Sequence, residues 1–164
     1  MEPQSIRLLY AYNRWVNERL LAVAARLPEE RRHQQFGASF DTIHNTLAHV
    51  LGAQITWLSR WNGVSPKQMI TGADFADLDA MQTRWVAHQG DMDAFLAALQ
   101  AEQLAAPLPY SNTSGKAFAY PLWQQMLHIV NHGTHHRAEI ADMLTRAGET
   151  APPTDLLVYL DAVS

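Results

Sequence analysis

His128-Ile129-Val130-Asn131-His132-Gly133-Thr134-His135-His136-Arg137 sits inside a run that begins beside Pro121 and continues to Ala147 before Gly148. Proline suits a first helical turn and glycine a helix end, so the run is predicted to form one long helix. At about 100° per residue, His132 and His136 lie about 40° apart on one face and one turn apart along it. That is a spacing at which two imidazoles can chelate one ion. His135 lies about 100° from His136 and is the worse third ligand. His128, one turn before His132, is better placed to line a pocket or support a ligand than to be one.

Outward from this segment, three further long helices are expected. Residues 4–27 place Ile6, Leu9, Tyr10, Asn13, Val16, Leu20, Val23 and Leu27 at spacings of three and four, and Pro28 ends the pattern. A second helix is predicted to start at Ser39 or Asp41, both good N-caps, and to run to Asn62-Gly63. Residues 63–73 carry Gly, Pro, Ser and Thr without a period and read as a loop. A third helix is expected from about Asp77 to Gln100, weakened at Gly90 unless packing requires a glycine there. Residues 107–119 hold a polar SNTSGK turn and read as a hairpin. After Pro152-Pro153, the tail TDLLVYLDAV can form a short closing helix. The expected fold is a single all-α domain over residues 1–164, a four-helix bundle with a hairpin excursion before its last long helix.

Composition narrows the function classes. The chain has 164 residues, 48% hydrophobic and 17% charged, the profile of an ordinary globular domain. It contains no cysteine, so any metal must be held by His, Asp or Glu, and any reacting thiol must come from outside the chain. The net charge is −4 and the basic residues are scattered, which disfavours nucleic acid as a partner. Neither a secretory signal nor a long apolar span is apparent, so a cytoplasmic protein without a membrane association is expected.

Two histidines on one helix leave a metal site incomplete. His49, in the middle of TLAHVLGAQITW, is the best third ligand, because a histidine among apolar neighbours needs a partner. His44 lies about 140° from it around the helix, so both cannot face the same interior. His33 and His88 have no supporting context and are read as surface residues. From the residues alone, a metal site and a set of ordinary helix histidines both stay open. A zincin is disfavoured because Gly133 occupies the position of its general base, and a di-iron site because the inward Glu-x-x-His pairs are missing.

The sequence resembles the DinB/YfiT-like metalloenzyme superfamily over nearly its whole length. The resemblance rests on Tyr12-Asn13-x-Trp15-x-Asn17, on Ser39-Phe40-x-x-Ile43-His44-x-x-Leu47-x-His49 followed by Trp57, and on Tyr110-x-Asn112-x-x-Gly115 leading to Pro121-Leu122-Trp123. Pro153-Thr154-Asp155-Leu156 and, above all, HIVNHGTHHRAEI at 128–140 complete it. It implies an up-down-down-up four-helix bundle and one divalent transition metal, zinc or nickel, on His49, His132 and His136. It also implies a homodimer. Ala138 and Glu139 stand where relatives often have Gly and Gln; neither is a ligand position, and Glu139 adds an acid near the same helical face.

An ion held by three neutral imidazoles keeps its charge and open positions, which suits a reactive centre. The resemblance implies a thiol-dependent S-transferase acting on a small molecule with a low-molecular-weight thiol as co-substrate. A metal-dependent hydrolase, or a non-catalytic stress-related metal-binding protein, are the alternatives. His128 and Glu139 are the candidate acid-base groups. Asn13 and Asn45 are read as packing or hydrogen-bonding residues.

Overall fold

A computed structural model describes all of residues 1–164. Its elements are helices α1 (Pro3–Ala24), α2 (Glu29–Arg32), α3 (Ile43–Trp61), α4 (Leu78–Ala98) and α5 (Ala101–Ala105), strands β1 (Pro107–Ser111) and β2 (Ala117–Pro121), and helices α6 (Leu122–Arg146) and α7 (Leu156–Val163). The protein is mostly helical with one two-stranded sheet. Its long helices form a bundle in which α6 lies against α1 and α3, and α4 touches the same two helices from another side.

α1 starts with Pro3 in its first turn and buries Ile6, Tyr10, Asn13, Val16, Leu20 and Val23. It ends at Ala24, earlier than the periodicity predicts. Leu27 remains buried because single turns, rather than continued helix, carry the chain to it.

The start of α3 also corrects the sequence reading. Neither Ser39 nor Asp41 caps it. Asp41 has a φ of 67° and its carboxylate accepts the Gly37 N–H, so it is spent on the preceding turn. Thr42 is the cap, its hydroxyl accepting the Asn45 N–H at 3.0 Å.

α4 begins as expected, with the Asp77 carboxylate accepting the Ala80 N–H at 2.8 Å. It buries Leu78, Met81, Trp85, His88, Met92 and Leu96. His88 is therefore a core residue, 1% exposed, and the expectation of a surface histidine is wrong. Trp85, three residues before it, and Met92, four residues after it, belong to one buried stripe, and His88 occupies a position in it. His33 does lie at the surface, its ring stacked 4.4 Å from that of His44. Gly90 has no packing role, because a Cβ there would meet nothing within 4 Å.

β1 and β2 pair antiparallel, with Pro107 opposite Pro121 and Tyr110 opposite Phe118. Pro121 closes the hairpin and caps α6 rather than entering its first turn. α7 folds back so that Tyr159 packs on Tyr12 and Trp15, and the Tyr12 hydroxyl donates to the Thr154 carbonyl at 2.6 Å.

The buried apolar residues fall into two clusters along the bundle. One gathers Ile6, Tyr10, Leu58, Met92 and Met126; the other gathers Val16, Leu47, Met81 and Met143. Between them in sequence, on α1, α3 and α6, lie Asn13, Gln54 and Arg137, all buried. Burying these polar groups requires hydrogen bonds. Asn13 supplies them, accepting from Arg137 Nη1 through Oδ1 and donating to Gln54 Oε1 at 3.4 Å.

Candidate metal centre

The packing of α3 against α6 brings together the three histidines singled out in the sequence. One ligand nitrogen from each of His49, His132 and His136 lies within 4.8 Å of the other two. The Nε2 atoms of His49 and His132 face each other at 3.0 Å. Two nitrogens on one tetrahedral zinc, each about 2.0–2.1 Å from it, would be about 3.3 Å apart, so the donor set fits a single ion.

The electrostatics also suit a cation. Burial, then the neighbouring His136, lowers the His49 pKa to about 4. Burial, then the surrounding histidines, takes His132 to about 3. Both rings are neutral near pH 7 and keep a lone pair for a metal.

His136 is the most deeply placed of the three, 6% exposed. Its Nδ1 lies 2.7 Å from Glu139 Oε2, and Glu139 Oε1 accepts the Ser39 hydroxyl at 2.6 Å. Burial pushes the Glu139 carboxyl up, but the Ser39 hydroxyl and the His136 ring outweigh this and hold it below its ordinary value. A carboxylate on Nδ1 fixes the ring so that Nε2 carries the free lone pair, a common arrangement behind metal-ligating histidines. Glu139 thus stands behind His136 rather than beside a reacting atom. Phe40 covers the group, stacked on His49 at 3.8 Å and edge-on to His136 at 5.4 Å.

The other histidines do not join the triad. His135 is exposed, its ring 4.8 Å from that of His136 and its Nε2 3.7 Å from Glu139 Oε1. A second grouping of His135, His136 and Glu139 exists, but it shares His136 and uses the carboxylate that already orients that ring. His44 is buried on another face, with Nε2 at 3.0 Å from the Gly72 carbonyl. Asn45 does not pack in the core; it is exposed and lines a cavity.

One cavity borders the triad and a second lies nearby. One, of about 540 Å³, is bordered by Phe40, Asn45, His49 and Ile70. The other, of about 260 Å³, is bordered by Trp57, Tyr110, Tyr120, Gln125 and His128. No triad residue lines this second cavity; His128 stands between, its ring 5.9 Å from that of His132.

Two features were not foreseen from the sequence. Arg137 is 1% exposed, with Nη2 donating to Thr134 Oγ1 at 3.0 Å and Nη1 to Asn13. Gly133 makes room for it, since a Cβ there would come 2.5 Å from Arg137 Nη1 and 3.0 Å from Asn13 Oδ1. The glycine four residues before the arginine is the one signal that could have revealed this pair.

The DinB family profile matches residues 1–163. The chain is also 30% identical over 159 residues to Protein DinB of Bacillus subtilis (strain 168), a match covering 93% of this chain and 91% of that protein. No helix is long and apolar enough to cross a membrane. With a histidine cluster able to hold a metal ion and a match spanning almost every residue, the chain belongs to the DinB family.

Proposed function

We propose that His49, His132 and His136 bind one divalent transition metal, zinc or nickel, and that the protein is a metal-dependent enzyme joining a low-molecular-weight thiol to a small electrophile. The observation that carries the reading is the convergence of three imidazoles from two helices, with a carboxylate orienting one of them. When bound, such an ion supplies Lewis acidity that favours the deprotonated form of a thiol or water.

The chain's own residues would divide the remaining work. Phe40 shields the triad, and Glu139 holds the His136 ring. His128, at the edge of the smaller cavity, is assigned to proton exchange with the reactants. The cavity bordered by His49 gives room for a reactant beside the centre.

The same reading includes an up-down-down-up order of α1, α3, α4 and α6. The starts of α1 and α6 and the ends of α3 and α4 contribute to one apolar cluster, and the opposite ends to the other, which supports that order.

Metal analysis of untagged protein, combined with a screen of thiol consumption against electrophiles, tests the reading. About one metal per chain and metal-dependent loss of thiol are expected. Protein that takes up no zinc or nickel would overturn the metal assignment, and metal-loaded protein that consumes no thiol would overturn the transferase.

A further inference from the structure

The cavity of about 540 Å³ has α3 on one side, where Asn45 and His49 stand one helical turn apart on the same face, and residues 69–73 on the other. That second wall is held against α3. His44 Nε2 lies 3.0 Å from the Gly72 carbonyl, and Gly52 lets the Ile70 carbonyl approach, since a Cβ on Gly52 would come 2.5 Å from its oxygen. No Asp, Glu, Lys or Arg borders the cavity, and Phe40 and Ile70 give it apolar sides. A charge taken into such surroundings loses its hydration without gaining a partner, so an uncharged occupant is favoured.

Hydrogen-bonding capacity in this lining is concentrated at Asn45. Thr71 donates its hydroxyl proton to Asp74 Oδ2 at 2.9 Å, inside the short turn that completes the wall. The Asn45 backbone N–H goes to Thr42, but its exposed side-chain amide makes no hydrogen bond to the protein. On an open surface such an amide is simply hydrated; here the facing wall is cut back to make room for it. A Cβ at Gly72 would collide with Asn45 Oδ1, and the Gly72 backbone is not left-handed, so glycine serves there for space. Because Oδ1 is the atom next to Gly72, Nδ2 and its two N–H donors form the end left free for a ligand.

We propose that this cavity takes the electrophile, an uncharged molecule whose apolar body lies against Phe40 and Ile70 and whose carbonyl oxygen accepts a hydrogen bond from Asn45 Nδ2. Only its role as a reactant rests on the metal-enzyme reading. The binding site itself stands on Asn45, Gly72 and the uncharged lining.

The test is titration of metal-free protein with acetophenone, with 1-phenylethanol, which has a hydroxyl in place of the carbonyl, and with benzoate, an anion of similar shape. The side-chain amide signals of Asn45 and the ring signals of His49 are followed by NMR. Acetophenone is expected to shift both, with benzoate weaker by about tenfold or more. Asn45→Asp keeps the shape and places an acid in a first helical turn, where it is favourable, so this variant should fold. It exchanges the donors for an acceptor, and the preference for acetophenone over 1-phenylethanol should fall about three- to tenfold, the worth of one hydrogen bond. Asn45→Leu should weaken both neutral probes. An unchanged preference in Asn45→Asp, benzoate binding as tight as that of acetophenone, or shifts centred on Trp57 and His128 would overturn the proposal. Protein that takes up zinc or nickel but binds no acetophenone when metal-free also overturns it, and leaves the metal reading intact. Acetophenone held at Asn45 by a protein that takes up no metal sinks the metal reading and leaves the binding site standing.

Discussion

Glu139 Oε2 sits 2.7 Å from His136 Nδ1, and the other oxygen of the same carboxylate takes the Ser39 hydroxyl. One side chain thus ties a histidine of α6 to the segment leading into α3, the two helices that supply the triad. Glu139→Gln keeps the shape but loses the charge, and metal affinity is expected to fall about 10- to 100-fold. Competition with a chelator of known affinity measures this. Undiminished affinity would show that Glu139 does not orient the ring.

The histidines should separate cleanly under alanine substitution. His49→Ala, His132→Ala and His136→Ala each remove one of three ligands and should severely reduce metal per chain. His135→Ala should leave it nearly intact, because that ring is exposed and outside the triad. His128→Ala should have an intermediate or small effect on metal. Metal content of the five variants at one chelator concentration makes the comparison, and equal loss at His135 and His136 would undo the assignment.

The same substitution should have opposite signs at two helical glycines. Gly90→Ala meets nothing within 4 Å, so reduced backbone entropy should stabilise the protein by about 0.5–1 kcal/mol. Gly133→Ala would push on Arg137 and Asn13, which are buried and bonded to each other, and should cost about 1–3 kcal/mol. Urea denaturation of both variants is the measurement, and a gain at Gly133 would show that the pair moves aside freely.

His88 should make stability depend on pH. Burial first, then the Arg84 charge, lowers its native pKa to about 4, against an ordinary value near 6.5. Above pH 6.5 the ring is neutral in both states and its contribution is complete. As pH falls toward 4, the unfolded chain binds a proton that the native state refuses, so stability is lost. By pH 5 the loss is about 2 kcal/mol. Denaturation of metal-free parent and His88→Leu at pH 7.5 and pH 5 should show the parent losing about that much more than the variant. Parallel losses would mean that His88 is protonated in the native state.

Metal removal should leave the bundle folded. Two apolar clusters distributed over four long helices provide a core that does not depend on the ion. Chelator-treated protein is expected to retain its far-UV helical signal at room temperature, with a lower melting temperature because an ion that binds only the native state stabilises it. Collapse of the helical signal would show that folding requires the metal.

Much of this protein is written in local spacing. The period of about 3.6 residues marks the four long helices, the SNTSGK turn marks the hairpin, and one helical turn between His132 and His136 puts both rings on one face. These features depend on residues close together in the chain, so the sequence alone determines them. His49 was legible for a related reason, a polar ring in an apolar stretch of a helix expected to pack on the first pair.

Periodicity tells which face of a helix is buried, but not what lies opposite it. His88 fits the buried stripe of α4, and only the packed bundle shows that it is enclosed. Asp41 and Thr42 are both acceptable caps, and the choice fell to Thr42 because Gly37 had already engaged the aspartate. Glu139 is held by Ser39 from the segment before α3, and Gly133 makes space for an arginine that bonds to Asn13 on α1, through contacts made across the bundle. The sequence determined which residues stand on each helix; only the tertiary structure decided which of them meet, because those distances are fixed by how the helices pack.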